Sequence, residues 1–376
     1  MTYFMFYGGD NNKYPNAMNR LLTDTKQLDR LIQESTGPCL SLEVPTQNDP
    51  VQSKHNNLVV RTIVKEATTL IDNMVAPDNV KKDLKFKLIS IYETIDFKYS
   101  WHGIGIYISP AIVMYVHFPF HVTKRINLGQ RFIIRNVLKL KQYMEPYKVL
   151  LLTSNKIRLF TVAGDVLEEV NDSHFPMTYD EEYEYSKLVM GNSYGYTMKG
   201  FEKDRAAMQQ SRINTFFNEA DEMLKNYADD VNQNVVLAGT EEVLANYERS
   251  SGGALVVGEV TGSYNDYNLK IMAEKAWQCI REYKYARTKE AITLLDEQRG
   301  GNLVVSGADD VLNVAKEGRG QVLYVEKDYQ YTKDPLGVYD LVDEAILTIL
   351  EKNGDIVITE NDELIGYGRI AMKLRY

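Results

Sequence analysis

The sequence predicts a chain of several domains in the mixed α/β and α+β classes. Three observations carry this. A length of 376 residues suits two or three domains of ordinary size. Apolar strand segments and long helical patterns are interleaved before residue 146. From residue 234 onward, strand, helix and strand patterns alternate as they do in parallel sheets.

The elements follow in order. Residues 1–20 read as a loose arm. TDTKQLDRLIQES is a short helix capped by Thr23 or Asp24 and ended by Gly37-Pro38. CLSLEV is a strand closed by Pro45. SKHNNLVVRTIVKEATTLIDNMV repeats apolar residues at Leu58, Ile63, Leu70 and Ile71, a half-buried helix. A second helix covers 79–97. IGIYISPAIVMYVHFPF (104–120) is almost long enough to span a bilayer, but Ser109-Pro110 breaks it. It reads as two buried strands and a turn, with no membrane span. Glu145-Pro146 marks a break. These features bound an N-terminal α+β domain at 21–146.

A middle domain, 147–279, opens with a hairpin. KVLLLT and KIRLFTV flank Ser154-Asn155, and DVLEEV adds a third strand after Gly164. An acidic run at Asp180, Glu181, Glu182 and Glu184 leads into YSKLVMGNSYGYTMKGFEKDRAAMQ. Beyond it, Ile213, Phe216, Phe217, Ala220, Met223, Leu224 and Tyr227 mark an amphipathic helix. NVVLAGTEEVLANYERSSGGALVVGEV parallels NLVVSGADDVLNVAKEGRGQVLYVEKD. Each reads as a β-α-β unit with parallel pairing and acids in the first helical turn. The second unit falls in a C-terminal α/β domain, 280–376. That domain ends with the helix YDLVDEAILTILEKNG, which buries Leu341, Ala345, Ile346 and Ile349, and with the strands DIVITEN and IAMKLRY.

Composition excludes several functions. A net charge of −9 argues against a protein that coats nucleic acid through its overall field. Cys39 and Cys279 lie far apart with no CxxC, which fits a reducing compartment and no disulfide framework. MTYFMFYGGDNNKYP lacks the basic start and apolar core of a signal peptide, so the expected location is cytoplasmic. The five histidines show no HxxxH or HExxH spacing on a helix, and no P-loop or GxGxxG is present. No metal and no cofactor is expected.

Charge is unevenly divided. Residues 117–148 carry Lys124, Arg125, Arg131, Arg135, Lys139, Lys141 and Lys148 against Glu145 alone. Spacing by four would let Arg131, Arg135 and Lys139 share one helical face, a stripe suited to a phosphate backbone. The alternative is a solvated basic helix. Residues 302–363 hold fourteen acids against five lysines and arginines, a surface suited to a protein partner. Asp309, Asp310, Asp340, Asp343 and Glu344 are its candidate contacts.

GPCLSLEVPTQNDPVQSKHNNL, PYKVLLLTSNKIRLFTV and the block from SGADDVLNVAKEGRG to NGDIVITENDELIGYGRIAMKLRY together resemble one family. They are similar to the bacterial archaeo-eukaryotic release factors, family 3 in particular. These are bacterial relatives of the archaeal and eukaryotic class-one peptide-chain release factor and of Pelota. The resemblance implies a ribonuclease H-like middle domain and a C-terminal domain like kink-turn-binding ribosomal proteins. It also implies ribosome binding in place of tRNA, and a translational GTPase docked on the C-terminal domain. In true release factors of this type, a Gly-Gly-Gln loop positions water at the peptidyl-tRNA ester. Here the pairs Gly8-Gly9, Gly252-Gly253 and Gly300-Gly301 precede Asp10, Ala254 and Asn302. The expected loop carries Gly191, Gly195 and Gly200 with Tyr194, Tyr196, Lys199, Lys203 and Arg205. Its tyrosines could stack on bases and its cations meet phosphates, or the tyrosines could fold back onto their own domain. The strand KVLLLT has no acid for two-metal nuclease chemistry. Gly307-Ala308-Asp309-Asp310 looks like the Gly-x-Asn-Glu segment of kink-turn binders, but Asp replaces Asn and exchanges an amide for an anion. The reading is a non-catalytic ribosome-associated factor for rescue, hibernation or quality control, reaching ribosomal RNA and the tRNA acceptor end. Two alternatives stand: a hydrolase of peptidyl-tRNA or RNA, and an interaction protein outside translation.

Overall fold

The structure, a computed structural model, describes residues 25–34, 37–99, 101–164, 166–179, 198–227, 234–251, 255–298, 303–333 and 340–376. The arm at 1–20, the acidic run at 180–184, the loop at 185–197 and all three Gly-Gly pairs lie outside the described residues. The chain forms two compact units. One combines residues up to Met144 with Glu290–Tyr376; the other is Glu145–Lys289. Several sheets flanked by helices make up a mixed α/β multidomain architecture, as the sequence predicts.

The first unit begins with α1 (Thr25–Gln33), β1 (Cys39–Pro45), α2 (Ser53–Asn73) and α3 (Asp78–Thr94). β2 (Gly103–Ile108), β3 (Val113–Phe118), β4 (Arg125–Gly129) and α4 (Arg135–Tyr143) follow. The four strands form an antiparallel sheet in the order β3-β2-β1-β4, with Leu42 opposite Ile106 and Ile126. Ser109 closes the β2–β3 turn by accepting the backbone N–H groups of Ala111 and Ile112 at 3.1 and 3.0 Å. This turn is what divides the long apolar stretch into two strands. No helix among the described residues is long and apolar enough to cross a membrane.

α2 buries Val60, Ile63, Val64, Ala67 and Ile71 against the sheet. The predicted Leu58 and Leu70 are instead 61% and 42% exposed. Asn56 occupies the buried face because its amide exchanges two hydrogen bonds with the Gln47 backbone, at 3.0 and 2.9 Å.

Gly105 is required by close packing. A Cβ there would lie 2.7 Å from the Tyr107 ring and 2.8 Å from Phe118. Both rings are fully buried and held by the core, so Gly105→Ala is expected to destabilise the unit by about 1–3 kcal/mol. Chemical denaturation checks this, and a neutral substitution would contradict the packing.

β3 also carries His117, whose ring meets Tyr115 edge-on at 5.4 Å. Its Nδ1 is enclosed and has no hydrogen-bond partner. Burial pushes the imidazole down from 6.5 to about 4, against the opposing pull of Asp96. The folded ring therefore binds a proton less tightly than the unfolded one. Stability is complete above the unfolded value and falls as pH drops from 6.5 toward about 4. The ring is half-buried, and the expected loss is roughly 2 kcal/mol. Comparing the pH dependence of unfolding in the wild type and His117→Leu measures it, and identical slopes would reject it.

The second unit contains β5 (Tyr147–Leu152), β6 (Lys156–Ala163), β7 (Val166–Glu169) and β8 (Met177–Thr178). α5 (Met198–Lys225), β9 (Val235–Gly239), α6 (Glu241–Ser250) and β10 (Val256–Thr261) follow. α7 (Leu269–Gln298) runs from this unit into the first. The sheet order is β10-β9-β5-β6-β7, with β8 also paired to β6. β6 is antiparallel to β5 and β7, and β9 is parallel to β5 and β10. This is the ribonuclease H-like arrangement that the resemblance implies. Gly164 supplies the left-handed φ of 56° that the β6–β7 turn requires. Phe216, Phe217, Ala220 and Leu224 of α5 cover one face of the sheet; Met272, Ala276 and Ile280 of α7 cover the other.

β11 (Val304–Ser306), α8 (Ala308–Lys316), β12 (Gly320–Glu326), α9 (Leu341–Glu351), β13 (Asp355–Thr359) and β14 (Ile370–Leu374) complete the first unit. Their order is β11-β14-β12-β13. The predicted direct pairing of β11 with β12 is therefore replaced. β14 lies between them and is antiparallel to both, while the parallel partner of β12 is β13. α8 and α9 share one core with the N-terminal sheet: Val311, Val342, Ile346 and Ile349 belong to the same cluster as Tyr107, Phe118 and Phe132.

Candidate nucleic-acid interface

The expected basic segment is built from three local structures. β4 presents Arg125 from an edge strand. The connection after it buries Phe132, Ile133 and Ile134 in succession. α4 then begins at Arg135, with Ile134 at its N-cap. A run of three consecutive buried residues does not fit one helical face. Arg131 therefore precedes the helix, and the predicted stripe of Arg131, Arg135 and Lys139 is not formed.

Arg125 and Arg135 face two of the acids assigned to the opposite-charged surface. Arg125 Nη2 donates to Asp343 Oδ2 at 2.6 Å and to Asp340 Oδ2 at 3.2 Å. Arg135 Nη2 donates to Asp343 Oδ1 at 2.8 Å, and its Nη1 donates to the Tyr329 carbonyl. Asp340 also caps α9, accepting the N–H groups of Val342 at 3.0 Å and Tyr331 at 3.1 Å. Behind these groups, Glu43 of β1 is fully buried. It accepts the Tyr107 hydroxyl at 3.0 Å and the Asn136 amide at 2.8 Å.

The environment sorts the carboxyls. Burial pushes Glu43 up, against the opposing pull of Arg125. Burial also raises Asp340, and the neighbouring Asp343 adds to the rise. Burial acts upward on Asp343 too, but Arg135 and Arg125 outweigh it and hold that carboxyl below the ordinary Asp value. Asp343 is thus the anion on which both guanidinium groups converge.

The other candidates are also engaged. Lys124 pairs with Glu66 at 2.7 Å, Lys141 with Asp29 at 2.6 Å, and Arg131 with Glu351. Lys139 lies 4.4 Å above the Phe120 ring. Glu344 pairs with Lys316 at 3.0 Å; Asp309 pairs with Lys333 and accepts the Tyr331 hydroxyl at 3.3 Å. Asp310 is exposed. The two surfaces read from the sequence as separate meet each other within one unit. The reason is the shared core, which brings β4 and α4 against α9.

In the second unit, Gly191, Tyr194, Gly195 and Tyr196 lie outside the described residues. Lys199, Gly200, Lys203 and Arg205 fall in the opening turns of α5, so the expected loop has become helix from Met198 onward. Arg158 grips Glu169 with two bonds of 2.8 and 2.6 Å and reaches Asp266 at 2.7 Å. Among the described residues no three His, Cys, Asp or Glu side chains gather as a metal site. Sequence reasoning missed Glu43. Its one visible signal was a lone acid within the apolar strand CLSLEV.

Comparison with known proteins gives three results. Residues 146–319 match the family described as bacterial archaeo-eukaryotic release factor family 3. No curated protein matches the chain. Similar solved structures include Archaeoglobus fulgidus Pelota, 14% identical over 94% of this chain and 92% of that one, with a TM-score of 0.38. An archaeal translation termination factor, aRF1, is 16% identical over 96% and 98%, with a TM-score of 0.25. Dom34 of S. cerevisiae is 12% identical over 73% and 79%, with a TM-score of 0.38. At TM-scores below 0.5, these likenesses support no transfer of function. The family match covers nearly all of the second unit and continues through β11 and α8. On that ground the chain resembles the bacterial archaeo-eukaryotic release factors, family 3.

Proposed function

We propose that this protein is a non-catalytic, ribosome-associated factor that works in the cytoplasm in rescue, hibernation or quality control of translation. The observation that carries the reading is the match of residues 146–319 to a release-factor family in a sequence without Gly-Gly-Gln. The 191–205 segment would approach the tRNA acceptor end. Of the five acids expected at a partner face, Asp310, which is exposed, would lie at the docking face of a translational GTPase.

Sedimentation of ribosomes from growing and starved cells tests the proposal. The protein is expected in the ribosomal pellet at low salt and in the supernatant at high salt, since phosphate contacts release counterions. Its absence from the pellet in both states would overturn the reading. Release of peptide from stalled ribosomes by the pure protein would favour a hydrolase instead.

A further inference from the structure

The cations predicted to meet RNA are largely consumed within the protein, but α2 carries basic side chains that are not. We propose that the solvent face of α2, through Lys54, Arg61 and Lys65, is a contact for an RNA phosphate backbone. The proposal rests on the ribosome-associated reading and names a surface for it.

Four observations carry it. Lys54, Leu58, Arg61 and Lys65 recur at intervals of four, three and four, which places them on one helical face. All four are exposed, Leu58 by 61%. Among the described residues, none of the three cations forms an ion pair or side-chain hydrogen bond, in contrast to Lys124, Arg125, Arg131, Arg135 and Lys141. The two acids of α2 are already answered: Glu66 by Lys124 at 2.7 Å, and Asp72 by Lys85.

The opposite face of α2 makes the stripe rigid. Val60, Ile63, Val64, Ala67 and Ile71 are buried against the sheet, and Asn57 accepts the Tyr92 hydroxyl of α3 at 2.5 Å. From Lys54 to Lys65 the axis advances about 16 Å, long enough to meet several phosphates of one strand. An unneutralised cationic face on a chain of net charge −9 is complementary to RNA and is not explained by internal pairing. Leu58, between the cations, offers an apolar surface to a sugar or an unstacked base.

The test is the salt dependence of binding to intact ribosomes and to protein-free ribosomal RNA. The variant K54Q/R61Q/K65Q keeps good helix formers on a solvent face, so an unchanged melting temperature is expected. Three lost phosphate contacts should make the slope of log K against log salt shallower by about 2–3. The charge-preserving variant K54R/R61K/K65R should restore it. A wild-type slope for the glutamine variant on protein-free RNA overturns the proposal, even if ribosome binding falls, since the partner would then be a protein. Failure of the wild-type chain to bind ribosomes at all overturns the functional reading, and the proposal falls with it.

Discussion

Replacing Asp343 by alanine is expected to destabilise the first unit by about 3–5 kcal/mol. Asp343 is the meeting point of Arg125 and Arg135, at 2.6 and 2.8 Å. Its loss would leave two nearly buried guanidinium groups with Asp340 as their one remaining nearby Asp, 3.2 and 3.6 Å away. Removing one partner is costly because the other charge stays desolvated; removing both is not. Asp343→Leu combined with Arg135→Met should therefore recover much of the loss, and the double-mutant cycle measures the coupling. The chain has two tryptophans, Trp101 in the first unit and Trp277 in the second. Urea unfolding in a Trp277→Phe background lets Trp101 report the first unit alone. A change below 1 kcal/mol would show that the cluster contributes no net stability.

Phe217→Ala is expected to cost the second unit a similar amount, about 3–5 kcal/mol. The Phe217 ring is 1% exposed and lies 5.7 Å from Tyr247 and 6.1 Å from Phe216. It seats α5 on the sheet beside α6, where Tyr247 donates to Asp221 at 3.0 Å. Truncation leaves a cavity between rings whose own positions are fixed. Trp277, stacked on Tyr147 at 6.1 Å, reports this unit in a Trp101→Phe background. The transition reported by Trp277 should move while that of Trp101 stays. Movement of both would show that the units do not unfold separately.

The sequence made local structure legible where punctuation and period agreed. Pro45, Ser109-Pro110 and Ser154-Asn155 bounded strands that the structure contains. The helix at Ile213–Tyr227 was visible in its spacing, and its Phe216, Phe217 and Ala220 are buried. The adjacency of β11 and β12 was not legible. A strand-helix-strand pattern fixes parallel direction, but β14 arrives from much later in the chain and takes the place between them. The charge pattern misled for a related reason. Counting charges in 117–148 and 302–363 treats each segment as a surface, while Arg135 and Asp343 find each other across 208 positions. Leu58 shows the same limit within one helix: apolar identity put it on the inner face, yet the phase set by Val60, Ile63 and Ala67 turns it outward.

The first unit draws on both ends of the chain, and this has a consequence during synthesis. Arg135 is made 208 residues before the aspartate that neutralises it. At roughly 5–20 residues per second, that interval is about 10–40 s. Until α9 emerges, the nascent protein exposes Tyr107, Phe118 and Phe132 beside two unanswered arginines. The N-terminal sheet of this unit is thus completed only when α9 arrives, and its apolar face stays open until then.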